Sequence, residues 1–401
     1  MAMLPDYMWL FYLIVFLIPS NLAKHFPLAS SYVSGNLVDY LIPAIYLTDI
    51  LIILLLIIKP IKSIPKPLLI FLLCLLPSVF FSASPIPAIF KWFKFLEFSL
   101  LAAWIKQYRP PIIKPLLVAV IFQSLLALGQ WFHQGSLFHY WFFGEQPYSS
   151  ATPGIDKITW FDGSFKIPPL GTTPHPNVLA GFLVISLALL KGPSLRSKVG
   201  PYWIIFSSAL LTIFFTFSLS AWLAFLLIGL PLILQGWTLQ AFKSKPYWKL
   251  FLVCFGFLLI ILSIFGQKLS FLAPESSFSR RSELTKIALK MWRDHPLTGV
   301  GLNNFTVTMD QYGYIPASTR FLQPVHNIYL LILSESGLLG LFGFLYLFLK
   351  GRSLFTDKVR PCHPALLLLL FLGLFDHYLL TLQTGLLLTF ILFLTPRQSS
   401  F

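Results

Sequence analysis

Long apolar stretches separated by short polar connections dominate the order of residues along this chain. Apolar runs of roughly 17 to 25 residues are long enough to cross a bilayer. With 57% hydrophobic and 11% charged residues, the chain lacks the polar surface of a soluble domain. We therefore predict an all-α polytopic membrane protein whose residues 1–401 form one integral membrane domain. It should have about twelve transmembrane helices, near 7–23, 38–58, 67–83, 88–105, 115–132, 176–190, 201–217, 219–237, 249–266, 326–349, 364–379 and 380–395.

The basic residues follow the same alternation. More than half of the 29 lysines and arginines lie in the connections after even-numbered spans, near 59–66, 106–114, 191–198, 243–249 and 350–360. Because positive residues accumulate in cytoplasmic loops, both termini are predicted to be cytoplasmic. The net charge of +15 then reports topology, and no nucleic-acid partner is expected. The two longest connections, 133–174 and 267–325, are predicted to lie on the outer face.

The longer outer connection contains an amphipathic pattern. From Arg280 to about residue 294, apolar residues recur with helical spacing, and Pro296 should end the helix. Ser279 is the expected N-cap, and the apolar stripe is expected to rest on the membrane surface. Arg280 and Arg281 would then combine guanidinium groups with the free N–H groups of a first helical turn, which suits a pyrophosphate. The alternative is contact with lipid headgroups or solvent.

Two histidines open apolar runs at the outer face. His326 and Asn327 begin the run that contains Tyr329, and His175 stands two residues before Asn177 at the start of an earlier run. Histidine in this position can do acid/base or sugar-binding work where water and a lipid-borne substrate meet. The structural alternative is a capping or packing residue at a helix start.

The order of motifs resembles the O-antigen ligase and polymerase superfamily. The resemblance rests on Arg281, His295-Pro296, the segment Gly299 to Phe305, His326 to Tyr329, and Glu335 to Gly340, with a second block from Gly171 to Gly181. Together with the predicted spans and termini, it covers most of the chain, and its specific motifs lie in the second half.

The resemblance implies a GT-C-like, metal-independent enzyme of the bacterial inner membrane that needs no cofactor. Such an enzyme passes a glycan from undecaprenyl pyrophosphate to an acceptor hydroxyl at the periplasmic face, and its partners are this donor, a lipid A-core or other glycan acceptor, and membrane lipid. Carried over, Arg281 would bind the pyrophosphate and His326 would act near the acceptor hydroxyl or the diphosphate. Asn327 and Glu335 would support that geometry, although nine residues of helix separate His326 from Glu335 and argue against a direct pair.

One family feature is absent. Members often carry a second arginine at the start of an inner span, whereas this chain has Leu219 there. Substitutes for that charge are Lys91 and Lys94, which share a face of the fourth predicted span with Glu97, and Arg320. Each has a structural alternative: neutralisation by Glu97, contact with headgroups, or solvation. Asp49 and the pair Asp376-His377 are further polar groups at membrane depth that can be purely structural.

The motifs leave the acceptor open. A ligase that uses lipid A-core, a polymerase that extends the same lipid-linked repeats, and a protein O-oligosaccharyltransferase share one donor chemistry. The lack of a large appended domain favours the ligase. A transporter or flippase is less favoured, because the chain shows no paired halves with charged, interrupted helices. The spacing of the three cysteines does not indicate a metal site.

Overall fold

The computed structural model describes residues 7–160, 162–190, 199–226, 275–315, 320–351 and 364–393. This part of the chain is mostly helical. The predicted span near 249–266, most of the span near 219–237, and two cysteines lie outside it. Its α-helices are α1 (Met8–Phe16), α2 (Leu47–Ile58), α3 (Lys66–Phe80), α4 (Pro85–Tyr108), α5 (Ile113–His133), α6 (Pro176–Leu190), α7 (Val199–Phe215), α8 (Leu219–Ala224), α9 (Glu275–Asp294), α10 (Phe305–Tyr312), α11 (Ile328–Gly351), α12 (Pro364–Leu372), α13 (Tyr378–Thr381) and α14 (Gln383–Phe393).

Within the same described ranges, strands occur as three short antiparallel pairs in the connections. They are β1 (Ala23–His25) with β4 (Ala44–Tyr46), β2 (Tyr32–Val33) with β3 (Asn36–Leu37), and β5 (Ile158–Thr159) with β6 (Phe165–Lys166). The prediction of a span over 38–58 is therefore wrong at its start, because α2 begins only at Leu47. Pro43 disfavours helix in the residue before it. Asp49 accepts the Tyr46 N–H at 2.8 Å and so caps the helix there.

Two of the described helices are long and apolar enough to cross a membrane: α5, and α11 from Ile328 to Lys350. Four shorter apolar helices accompany them: Leu47–Ile58, Lys66–Phe80, Pro176–Leu190 and Ile205–Phe215. Large apolar side chains stand exposed on their surfaces, with Phe80 79% and Ile57 70% exposed. Exposure of this kind is typical of a surface that contacts lipid or another apolar partner. The described helices thus support a helical membrane protein and leave the number of twelve as a prediction.

The core is divided between the apolar helix bundle and a smaller cluster beneath α9. In the smaller cluster Leu284, Ile287 and Met291 of α9 are buried with Phe305 and Met309 of α10. The expectation that this stripe rests on the membrane surface is therefore wrong. The stripe packs on the protein because α10, with α11 beside it, supplies an apolar surface from the same connection.

Helix α11 is broken at Gly337, and the connection before α10 inserts at the break. Gly337 has a φ of +61°, and a Cβ built on it would lie 2.2 Å from the backbone of Leu297. Gly299 has a φ of +66° and would meet the backbone of Glu335 at the same distance. Because two backbones approach this closely, only glycine fits at either position.

The broken turn exchanges hydrogen bonds with the inserted segment. The N–H groups of Val300 and Gly301 donate to the carbonyls of Ser334 and Glu335 at 2.9 and 3.0 Å. The Leu338 N–H donates to a carbonyl of the inserted segment at 2.9 Å. Backbone groups that a continuous helix would pair internally thus hold the segment at a fixed place above α11.

Candidate functional site

Arg281 reaches the turn between α12 and α13. Its Nη1 atom donates to the carbonyl oxygen of Phe375 at 3.1 Å. The predicted N-cap at Ser279 is wrong, because α9 begins at Glu275. Arg280 and Arg281 therefore belong to the second turn, one turn beyond the free N–H groups of the helix start. Any anion at Arg281 would be held by the guanidinium itself.

His326 stands two residues before α11 and faces the same turn. Its ring centroid lies 4.9 Å from that of His377, and the two rings are inclined by 71°. The His377 Nδ1 atom is 2.8 Å from the Thr381 hydroxyl. The Nδ1 atom of His326 is buried and makes no hydrogen bond with the described part of the chain. A buried polar atom without a hydrogen-bond partner costs free energy. Such unpaired atoms are more common at functional sites than in a structural core.

The start of α6 adds polar groups from a third part of the chain. The Asn177 side chain donates to Asp376 Oδ2 at 3.2 Å. The His175 Nδ1 atom accepts the Asn177 N–H at 3.1 Å, and its Nε2 atom is 2.9 Å from the Asp156 carboxylate. His175 therefore ties the connection 133–174 to the helix that carries Asn177.

The charges of these groups act on one another. Burial lowers the pKa of His326 to about 4; Asp376 acts in the opposite direction, and Arg281 lowers the pKa further. The imidazole is thus neutral at pH 7 and can accept a proton. The hydrogen bond from His175 holds the pKa of Asp156 below its ordinary value. Arg281, His326 and Asp376 therefore form one electrostatic unit.

Glu335, a predicted site residue, is buried and holds the inserted segment. Its two carboxylate oxygens accept the N–H groups of Asn303 and Phe305 at 3.0 and 3.1 Å. The Asn303 side chain in turn donates to the carbonyl of Tyr40 at 3.0 Å. These contacts give Glu335 a positioning role for the segment beside the site.

The two predicted substitutes on α4 point into the helix bundle. Lys94 forms ion pairs with Asp49 and, at 3.4 Å, with Glu97. Lys91 is buried, donates to the carbonyl of Thr381 at 3.4 Å, and shares a small cavity with Glu335. Both lysines are thus engaged by groups of the bundle, and neither is brought next to Arg281 by a described contact.

The other predicted residues have contacts around the site. The Arg280 guanidinium lies 5.0 Å from the ring centroid of Phe321, and Arg320 pairs with Asp310. Asn327 caps α11, since its Oδ1 atom accepts the N–H groups of two following residues, both at 3.0 Å. Tyr329 donates its hydroxyl to the carbonyl of Leu370 at 2.9 Å. Their roles in substrate binding stay predictions.

Three residues at the site were not among those predicted: Asp376, His377 and Tyr40. The sequence marks Asp376 and His377 as a polar pair at membrane depth, but that position alone did not assign them to the site. Tyr40 carries no such signal, because it lay within a run interpreted as a span. Its ring centroid is 5.2 Å from that of His377. Among the described residues, no group of three His, Cys, Asp or Glu side chains could hold a metal ion.

Comparison with known proteins supports the resemblance seen in the motifs. The family model described as O-antigen ligase matches residues 204–345, which include α9, α10, most of α11 and both Arg281 and His326. No curated protein matches the chain. The family contains ligases and polymerases of the glycosyltransferase type. Over residues 204–345 the chain is similar to the O-antigen ligase family, and this match supports the resemblance that its motifs indicate.

Proposed function

We propose that this protein is an O-antigen ligase of the bacterial inner membrane. It transfers a glycan from undecaprenyl pyrophosphate to a hydroxyl of a lipid A-core acceptor at the periplasmic face. The observation that carries the proposal is the convergence of Arg281 and His326, which are 45 positions apart in the sequence, on the turn that holds Phe375 and His377.

Arg281 supports the departure of the pyrophosphate. As the bond between the anomeric carbon and the phosphate oxygen breaks, its electron pair moves onto that oxygen and negative charge grows there. A guanidinium group offers paired N–H donors that match phosphate oxygens. Within the proposal, Arg281 takes the part that a metal ion plays at other phosphate sites, and the reaction uses no cofactor.

His326 supports the attack of the acceptor. The acceptor oxygen forms the new bond to the anomeric carbon while its proton passes to a neutral imidazole nitrogen of His326. The anionic donor partly offsets the positive charge of Arg281, and this raises the basicity of His326 when the donor is bound. Attack opposite the leaving group inverts the anomeric centre. Base assistance of this kind contributes roughly 10²- to 10⁴-fold to the rate.

The test is transfer in reconstituted vesicles with undecaprenyl-pyrophosphate-linked glycan and lipid A-core. Glycosylated lipid A-core is the expected product, and its rate of formation should fall by roughly 10²-fold or more with Arg281→Ala or His326→Ala. Arg293→Ala is the matched control, because its side chain is exposed and lies near the end of the helix that carries Arg281. Longer undecaprenyl-linked glycan without glycosylated lipid A-core would identify a polymerase. Donor that crosses the bilayer without bond cleavage would identify a carrier.

A further inference from the structure

A segment before α2 reaches the site, and nothing in the motifs assigns it a role. It runs from β1 to β4 and contains the β2–β3 hairpin and a short 3-10 turn, Asp39–Leu41. Tyr40 stands in that turn. The sequence places it 337 positions from His377, yet their ring centroids are 5.2 Å apart.

The position of Tyr40 is fixed from two sides. Val33, Val38 and Leu41 form a small apolar cluster against which Tyr40 packs. From the other side, Asn303 donates to the Tyr40 carbonyl at 3.0 Å. Because the segment held by Glu335 also holds this backbone, the ring is placed in advance of any ligand.

The surroundings of Tyr40 combine an aromatic surface with polar groups. Its ring meets His377 edge-on, at 84°, and its side chain is only partly buried. Burial is the main cause of the raised pKa of the Tyr40 hydroxyl, and the nearby charge of Asp376 contributes. The hydroxyl is thus a neutral donor near the Asp376 carboxylate, and the ring of Tyr40 contacts the His377 imidazole.

This combination fits a sugar ring. A pyranose presents a face of C–H groups that packs on an aromatic ring, and its hydroxyls bind carboxylate, imidazole and phenol groups. We propose that Tyr40 is a specificity-determining residue whose ring contacts a pyranose of one lipid-linked substrate beside His377. This proposal rests on the proposed glycosyl transfer. The donor sugar next to the pyrophosphate and the acceptor sugar share this chemistry, and the experiment separates them.

The experiment measures KM and kcat in reconstituted vesicles, first by titrating donor at saturating acceptor and then the reverse. Tyr40→Leu removes the aromatic ring and should raise KM for one of the two substrates roughly ten-fold. Tyr40→Phe keeps the ring and loses only the hydroxyl donor, so it should raise KM less than Tyr40→Leu does. Tyr32→Ala is the matched control, because Tyr32 lies on the same segment and is 48% exposed. The titration in which KM rises identifies the glycan that Tyr40 contacts.

Several outcomes overturn the inference without touching the proposed function. Wild-type KM for both substrates in Tyr40→Leu is one, and a fall in kcat alone, equal in Tyr40→Leu and Tyr40→Phe, is another. If Tyr40→Leu is lost during extraction, Tyr40→Met is a second non-aromatic variant for the same titrations. Failure of the proposed function looks different, because the wild-type protein would then form no glycosylated lipid A-core.

Discussion

Two polar clusters in this protein contrast in how their charges are held. Within the bundle, Asp49 accepts hydrogen bonds from Lys94, Gln383 and the Tyr46 backbone, and Lys94 also contacts Glu97. In the cluster around the turn between α12 and α13, Arg281 donates only to a backbone carbonyl among the contacts described, and the Nδ1 atom of His326 has no hydrogen bond there.

The contrast distinguishes charged side chains that stabilise the fold by pairing with each other from those that are available to bind a ligand. An ion pair buried in an apolar bundle neutralises itself, so its members have little to offer a substrate. A guanidinium that forms no described ion pair with a carboxylate can neutralise an incoming diphosphate. The sequence positions of Lys91 and Lys94 are therefore weak evidence for a role in substrate binding. The groups that each lysine contacts show whether its charge is available to a ligand.

The largest expected effect is on catalysis at the cluster around the turn between α12 and α13. Arg281→Ala should lower the transfer rate by roughly 10²- to 10³-fold, because the pyrophosphate loses its main charge partner. Its thermal unfolding in detergent should match that of Arg293→Ala. A variant that transfers glycan at the wild-type rate would show that the phosphate is held elsewhere.

Substitutions at Lys94 and Asp49, within the bundle, should change the free energy of unfolding. Lys94→Ala leaves the Asp49 carboxylate buried without its cationic partner, which should cost about 3–5 kcal/mol in the free energy of unfolding. The double variant Lys94→Met with Asp49→Leu removes both charges and should be more stable than Lys94→Ala. Thermal unfolding of the three proteins makes the comparison. Equal stability of Lys94→Ala and wild type would place Lys94 among the ligand-binding groups instead.

The break in α11 should be sensitive to added volume. Gly337→Ala introduces a Cβ that would lie 2.2 Å from the Leu297 backbone at a positive φ. The expected loss is about 1–3 kcal/mol from strain alone, measured by thermal unfolding. Gly343→Ala gives the matched comparison, since its added Cβ would meet a side-chain atom, Cys74 Cβ, at 2.7 Å in place of backbone. A smaller loss at Gly337 than at Gly343 would contradict the described close approach.

The smallest expected effect is a shift in the pH profile. The neutral form of His326 acts as the base, and it is lost as the pH falls through its pKa of about 4. The profile of kcat/KM should thus be level from about pH 8 to pH 5 and decline below. Asp376→Asn removes a charge that raises this pKa, so the acid limb should move to lower pH. An acid limb near the ordinary histidine pKa in the wild-type protein would contradict the assignment.

Much of the fold follows from local pattern. The end of α9 before Pro296 and the apolar helices α5 and α11 are confirmed near their predicted positions, because periodicity and proline act within one segment. The start of α9 at Glu275 was missed, because serine is a favoured N-cap residue and this preference predicts the cap at Ser279. The chain is already helical four residues earlier. The surface on which α9 packs was also missed, since an amphipathic stripe does not say whether protein or membrane covers it.

The site was predictable only in part. The motif resemblance brought Arg281 and His326 together, and the structure places both at one turn. The contact between Tyr40 and His377 joins segments with no shared local pattern, so sequence spacing could not reveal it. The clamp by Glu335 depends on a break in α11 that the apolar run does not show.

The most direct test that Arg281 and His326 act at one site is a double-mutant cycle, measured as the transfer rate in reconstituted vesicles. Arg281→Ala, His326→Ala and the double variant are compared with wild type at saturating donor and acceptor. If both side chains stabilise the same transition state, the transfer rate of the double variant should be only slightly below that of the less active single variant. Rate losses that multiply fully, or single variants that transfer glycan normally, would contradict a shared site.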